Sequence, residues 1–436
     1  MSATLIVIVC IAVALVFLLS GCPVFICLGA AGALGIFLND GFTGLSLLQT
    51  TVYGAVSKST LVAAPLFILM GEIIFRSGIG TDIYNALSRM LHRLPGGLAI
   101  ATVIASTLFG AMCGVSIAAV ATIGVIALPE MLKRGYDPRL ASGAVCAPGA
   151  LAMLVPPSLL FILYGEVAGV SVAKLFTAGI LPGILLALLM CGYIAIHEIR
   201  SSRDLASKTN LQPLTLNEVV RLIRSLWAPL VLIVGVLWAI YLGIATPTES
   251  AAIGVVGAYI IAIIIYRRMD WSSFKATLAR ASQITATILI VFVGAAIFTK
   301  FLNILRVPDT FAAIVTAMDI SPWVTMLTVQ IMLLLLGMFI DGASMILITT
   351  PILIPTMLAL QWNPVWFGVL MVTNINIAVI TPPVGLNLYT LASISDDVSM
   401  ETILKGTMPY VIVEFVGLVL LILFPQISLW LPSLMI

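Results

Sequence analysis

Two short stretches combine residue types that a membrane-spanning helix has no use for: "LVPPS" at 154–158 and "ITPPV" at 380–384. A proline removes a backbone donor and clashes with the preceding turn, so a consecutive pair ends a helix. The half-helix that stops there leaves carbonyl oxygens with partial negative charge, suited to Na+, while the half-helix that resumes presents free amides to an anion. Two further stretches, "GVS" at 114–116 and "GAS" at 342–344, set a glycine, which lets backbone approach a ligand closely, beside a serine hydroxyl. The spacing predicts two Na+ sites. The first takes Gly114, Ser116, Val155, Pro156 and Ser158, and the second Gly342, Ser344, Thr381, Pro382 and Gly385. Asp341 stands where the first tip has Cys113, and Asn374, Asn376 and Asn387 flank the second break. These four are candidate contacts for a polar substrate, with helix–helix hydrogen bonding as the competing role of the asparagines.

The elements around these residues must be membrane helices. Of 436 residues 61% are hydrophobic and 9% charged, and apolar runs long enough to cross the hydrocarbon core recur throughout. In hydrocarbon an unwound segment is tolerated only where it is buried in protein or lines a polar cavity. The net charge of +2, with no basic patch, argues against a nucleic-acid partner. No transition-metal cluster, nucleotide-cradling loop or acid/base pair with a nucleophile can be picked out, which disfavours an enzyme. No Lys or Arg precedes Lys58, so the N-terminal apolar run lacks the basic region of a signal peptide and reads as the first span. The six cysteines lack CxxC spacing and read as small packing residues. His92 and His197 read as interfacial polar residues, and Glu72, Glu249, Lys300 and Glu414 as charges paired inside the scaffold.

The chain repeats itself. "PEMLKRGYDP" at 129–138 and "PTMLALQWNP" at 355–364 share Pro, Met, Leu and Pro at an offset of 226 residues, and the same offset carries Pro156 and Pro157 onto Pro382 and Pro383. Basic residues cluster at 76–93, 133–139, 200–224 and 267–280, which places those segments in the cytoplasm. Two clusters flank the segment at about 96–132, so it enters and leaves on one side as a re-entrant hairpin. Its counterpart at about 322–360 has almost no basic residues at its ends and should enter from the other side. The expected fold is an all-α polytopic membrane protein of two inverted repeats, each of about five spans plus one hairpin, with broken helices. The first repeat covers 1–199, with its broken helix at about 140–170. A cytoplasmic amphipathic linker covers 200–225, and the second repeat 226–436, with its broken helix at about 365–394. Inverted repeats with paired midplane breaks suit alternating access in a secondary transporter rather than a channel.

The stretches "LFGAMCGVSIAAVATIGVIALPEMLKRGYDPRLASG", "LVPPSLLFILYGEVAGVSVAKLFTAGILPG" and "DGASMILITTPILIPTMLALQWNPVWFGVLMVTNINIAVITPPVGLNLYTLASI" resemble the large membrane subunit of TRAP (tripartite ATP-independent periplasmic) transporters, part of a broader ion-transporter superfamily. The likeness covers essentially the whole chain. It implies Na+ as coupling ion, a small four-helix membrane subunit, a periplasmic substrate-binding protein and an elevator-like motion of a transport domain against a scaffold. The substrate it implies is an organic anion such as a C4-dicarboxylate, sialic acid or another carboxylate, and the location the bacterial inner membrane. Because the chain opens on a large-subunit span, the small subunit is expected as a separate chain. The first tip departs from the family's Gly-Ser-Ser pattern: Val115 takes the middle place, one hydroxyl fewer. The alternative is a stand-alone Na+-coupled transporter of the same superfamily.

Overall fold

The computed structural model describes residues 2–200, 216–318, 320–395 and 397–435. Helix α1 (Ala3–Leu19), α2 (Val24–Val56), α3 (Ala63–Arg76) and α4 (Ile79–Leu91) lead into a hairpin of α5 (Gly97–Cys113) and α6 (Ser116–Lys133). There follow α7 (Pro138–Ala150), α8 (Leu159–Ala168) and the long α9 (Val172–Arg200). The second half runs through α10 (Leu216–Tyr241), α11 (Pro247–Tyr259), α12 (Trp271–Ile304) and α13 (Val307–Ala317) to a second hairpin, α14 (Pro322–Gly337) and α15 (Gly342–Ala359). It closes with α16 (Pro364–Val379), α17 (Leu386–Ile394), α18 (Met400–Leu423) and α19 (Gln426–Ser433). Eight of the described helices are long and apolar enough to cross a membrane, and the shorter apolar ones include hairpin arms and half-helices. The protein is an all-α polytopic membrane protein.

Burial divides the helices into two groups. Every residue of α7 from Leu140 to Ala150 is buried, as is every residue of α16 from Trp366 to Val379. Helices apolar on all sides pack at the centre of a bundle. Small residues let α7 lie close against α18, where Tyr410 donates to the Leu140 carbonyl at 3.5 Å. By contrast α1, α2, α10, α11 and α12 carry exposed Leu, Ile, Val and Trp on their outer faces, the surface that meets lipid. Within this outer group α2 lies along α12, and α3 is flanked by α11 and α12. At Gly32 an added Cβ would stand 2.8 Å from the Phe298 backbone, so the two long helices touch main chain to main chain.

Two contacts fix which ends belong together. The Leu98 amide at the start of α5 donates to the Tyr136 hydroxyl just beyond α6 at 3.3 Å, so the first hairpin begins and ends at one place. Arg268 reaches Asp82 at 2.6 Å, which brings the basic segments 76–93 and 267–280 to the same face. The expected linker at 200–225 lies largely outside the described residues. From Leu216 onward the described chain is helical and continuous with the rest of α10. The six cysteines are free, four of them buried, as packing residues are.

Candidate functional site

Both proline pairs interrupt the helical path. In the first break α7 gives way at Ala150 to a short 3-10 turn, Leu151–Met153, and helix resumes at Leu159; in the second α16 stops at Val379 and α17 begins at Leu386. The Pro156–Pro157 and Pro382–Pro383 peptide bonds are cis. No backbone amide among the described residues donates to the carbonyls of Val155, Pro156, Thr381 or Pro382, as expected where the helix is interrupted and the amides four residues on are out of reach. Ser158 caps α8: its hydroxyl donates to the Met153 carbonyl and accepts from the Phe161 amide at 3.4 Å. At the second break Thr381 donates to the Ile377 carbonyl at 2.5 Å, and Gly385 (φ +46°) starts α17 from the left-handed region.

Each hairpin tip lies against the break in its own half. Gly114 turns the first tip at φ +63°, and a Cβ there would stand 3.0 Å from the Pro157 carbonyl. Only glycine meets both demands. Tip and break touch again in the second half, where the Val384 amide donates to the Met338 carbonyl at the end of α14 at 3.3 Å. The hairpins then cross over: α6 packs on α17, and α15 packs on α8. Each tip is therefore wedged between both breaks' half-helices, an exchange that the sequence pattern did not reveal.

The crossing accounts for the asparagines. Asn387 is fully buried; its side chain donates to the Cys146 carbonyl at 3.0 Å and accepts from the Ser116 hydroxyl at 2.6 Å, tying α17 to α6 and α7. Asn374 is buried and donates to the Gln330 carbonyl at 2.8 Å and its side-chain oxygen at 3.0 Å, joining α16 to α14. Asn376, with its amide oriented as its neighbours require, donates at 3.0 Å to the carbonyl of Ala150, the last residue of α7. All three are buried, each with its amide group donating to a neighbouring helix, while Asn374 Oδ1 is left without a partner among the described residues. They hold the breaks in position. Asp341 alone of the four candidate substrate residues is exposed. It is the N-cap of α15, accepting from the Ala343 and Ser344 amides at 3.1 Å each and from the Ser344 hydroxyl at 2.5 Å.

The two sites differ in access. Residues 151–154 and 156–158 are buried, and Gly71 of α3 closes on the first tip, where a Cβ would meet the Cys113 backbone at 2.7 Å. Pro383, Val384, Phe339 and Asp341 are exposed, so the second site opens on a surface. The remaining charges have separate roles. Glu72 lies 3.9 Å from Arg76, and Glu249 completes a capping box with Thr246 at the start of α11. Glu414 is buried in α18 with both carboxyl oxygens unpartnered, so the expected pairing is absent there. Lys300 lines a cavity with Lys58 and Glu166, a grouping that sequence reasoning did not make.

The all-α membrane fold, with its two tip-and-break pairs, has solved counterparts of the same architecture. The YdaH transporter of Alcanivorax borkumensis superimposes with a TM-score of 0.63 at 18% identity, covering 89% of this chain and 90% of that one. Residues 11–427 match the family model "Tripartite ATP-independent periplasmic transporter, DctM component". The chain belongs to this family, the large membrane subunits of TRAP transporters, as the motifs had suggested. It is 33% identical over 407 residues to the C4-dicarboxylate TRAP transporter large permease of Pseudomonas aeruginosa, with 93% of each chain covered. It is 31% identical over 415 residues to the isethionate TRAP transporter permease DctMQ of Oleidesulfovibrio alaskensis, covering 95% of this chain and 64% of that longer one. As a large TRAP permease it is a multi-pass protein of the inner membrane.

Proposed function

We propose that this chain is the translocating subunit of a Na+-coupled, binding-protein-dependent importer of organic anions, with one Na+ site at each tip-and-break pair. The observation that carries the reading is the repeated geometry: carbonyls free of backbone donors at each break, a serine at each tip, and tip in contact with break. Oxygen ligands of this kind, without thiolate or imidazole, suit a hard alkali cation. Ser116, Ser158, Ser344 and Thr381 each spend their hydrogen on another acceptor and retain oxygen lone pairs for an ion. A cation at the exposed second site would be followed by the anion, with Asp341 at the rim holding the amides of α15 in place. The relatives' substrates, a C4-dicarboxylate and isethionate, support a small carboxylate or sulfonate.

Halves 1–199 and 226–436 then form inverted copies, with hairpins and broken helices as a transport domain and α2, α3, α11 and α12 in the scaffold. The partners are a small four-helix membrane subunit and a periplasmic binding protein. Reconstitution of both membrane subunits in liposomes, with the cognate binding protein outside, tests this. Uptake that requires Na+ outside and the binding protein is expected. Full uptake by this chain alone would favour the stand-alone transporter.

A further inference from the structure

A cavity of about 370 Å³ lies where the C-terminal ends of α2 and α12 meet the end of α8 and the side of α15. It is lined by Lys58, Lys300, Glu166, Thr50, Thr299 and Asn303 among others. Lys58 Nζ stands 2.6 Å from Glu166 Oε1, and the second oxygen of Glu166 accepts from the Thr60 hydroxyl, so this carboxylate is fully engaged. The Glu166 side chain is only 9% exposed, whereas Lys58 is 45% exposed and keeps ammonium donors toward the cavity. Lys300 is exposed and has no acidic partner among the described residues. Two lysines against one glutamate leave the lining positive. At 1.5 Å per residue Lys300 stands about 30 Å along α12 from Arg280, the thickness of the hydrocarbon core. The cavity therefore lies toward the face opposite the basic clusters.

We infer that this cavity is a binding site for a small organic anion, a carboxylate or sulfonate, held between Lys58 and Lys300 with the threonines and Asn303 as hydrogen-bond partners. Its volume falls in the range of small-molecule sites. The anion draws Lys58 from Glu166 while Lys300 supplies an uncompensated charge. The partial negative charge at the α2 and α12 C-termini opposes this, and the lysines must outweigh it. Its role as a first station for imported anion rests on the function proposed above; the binding itself does not.

The test is charge-selective labelling. Asn303, exposed and without a side-chain hydrogen bond among the described residues, is replaced by cysteine in the full chain, and the purified protein is treated in lipid-free detergent with a sulfonated or a trimethylammonium methanethiosulfonate. Labelling at position 303 is read by mass spectrometry. The anionic reagent should react faster than the cationic one, and Lys300→Gln should cut that preference by at least about threefold, as one unit charge within a cavity of this size requires. Succinate or isethionate should slow labelling, and Lys58→Gln with Lys300→Gln should abolish the protection. Equal rates for the two reagents, or a preference that survives the double substitution, would overturn the site. Protection by phosphatidylglycerol but by neither organic acid would overturn it as well. A charge preference that persists in a protein incapable of Na+-driven uptake would uphold the site and remove only the importer reading.

Discussion

Asp341→Ala and Asp341→Asn separate two roles that meet in one carboxylate. Asp341 accepts from two amides at 3.1 Å and from the Ser344 hydroxyl at 2.5 Å, on an exposed helix start. Alanine removes the cap and leaves those amides to water, a loss of about 1 to 2 kcal/mol. Asparagine keeps an oxygen in the same place and should cost well under about 1 kcal/mol. For a chain of this length each kcal/mol corresponds to roughly 1 °C of apparent melting temperature. Four buried free cysteines make a thiol-reactive dye a direct reporter of unfolding. Charge is a separate quantity. A cation on Ser344 Oγ would lie about 5 Å from the carboxylate, worth about 1 to 2 kcal/mol at a dielectric between 40 and 80. Asp341→Asn should therefore melt like the parent yet need about five- to thirtyfold more Na+ for half-maximal uptake. Equal loss of stability in Ala and Asn variants would refute the capping argument. An unchanged Na+ requirement in Asp341→Asn would refute the placement of the ion.

Asn387→Ala strands the Ser116 hydroxyl and the Cys146 carbonyl in a buried site and should destabilise the protein by about 2 to 4 kcal/mol, measured by the same dye. In a double-mutant cycle Ser116→Ala should couple to Asn387→Ala by about 0.5 to 3 kcal/mol; additive effects would break the link between the halves. Gly71→Val would place side-chain atoms against the Cys113 backbone and should push the first tip from α3, seen as faster modification of the now buried Cys113 thiol. Thr246→Ala should loosen α11 by about 1 kcal/mol through loss of its capping box, with Na+ dependence of uptake unchanged.

The helical membrane architecture was legible because hydropathy and prolines act locally. A run of apolar residues must span, and a Pro pair must break, whatever surrounds it. What stayed hidden depends on side chains meeting from distant parts of the chain. Ser116 and Asn387 are 271 residues apart, and nothing in "CGVS" or "GLNLY" announces that one accepts from the other. Lys58 and Glu166 likewise meet only because the short turn Ser59–Val62 after α2 packs on α8. Two caps are legible in the sequence itself: Thr246 with Glu249 three residues on, and Asp341 with Ser344 at the same spacing. In both places the acceptor meets the need of a helix N-terminus, a role that leaves the charge of Asp341 free to act on a nearby cation as well.

Two Na+ sites, one per half, are the centre of the account, and the Na+ titration of initial uptake rate tests them most directly. In liposomes holding both membrane subunits, with choline replacing Na+, the parent should show a Hill coefficient above 1 and up to about 2. Ser344→Ala with Thr381→Ala should raise the half-saturating Na+ concentration and bring the coefficient toward about 1, leaving the buried first site to act alone. An uptake rate indifferent to Na+, or a titration curve that this pair of substitutions leaves in place, would contradict it.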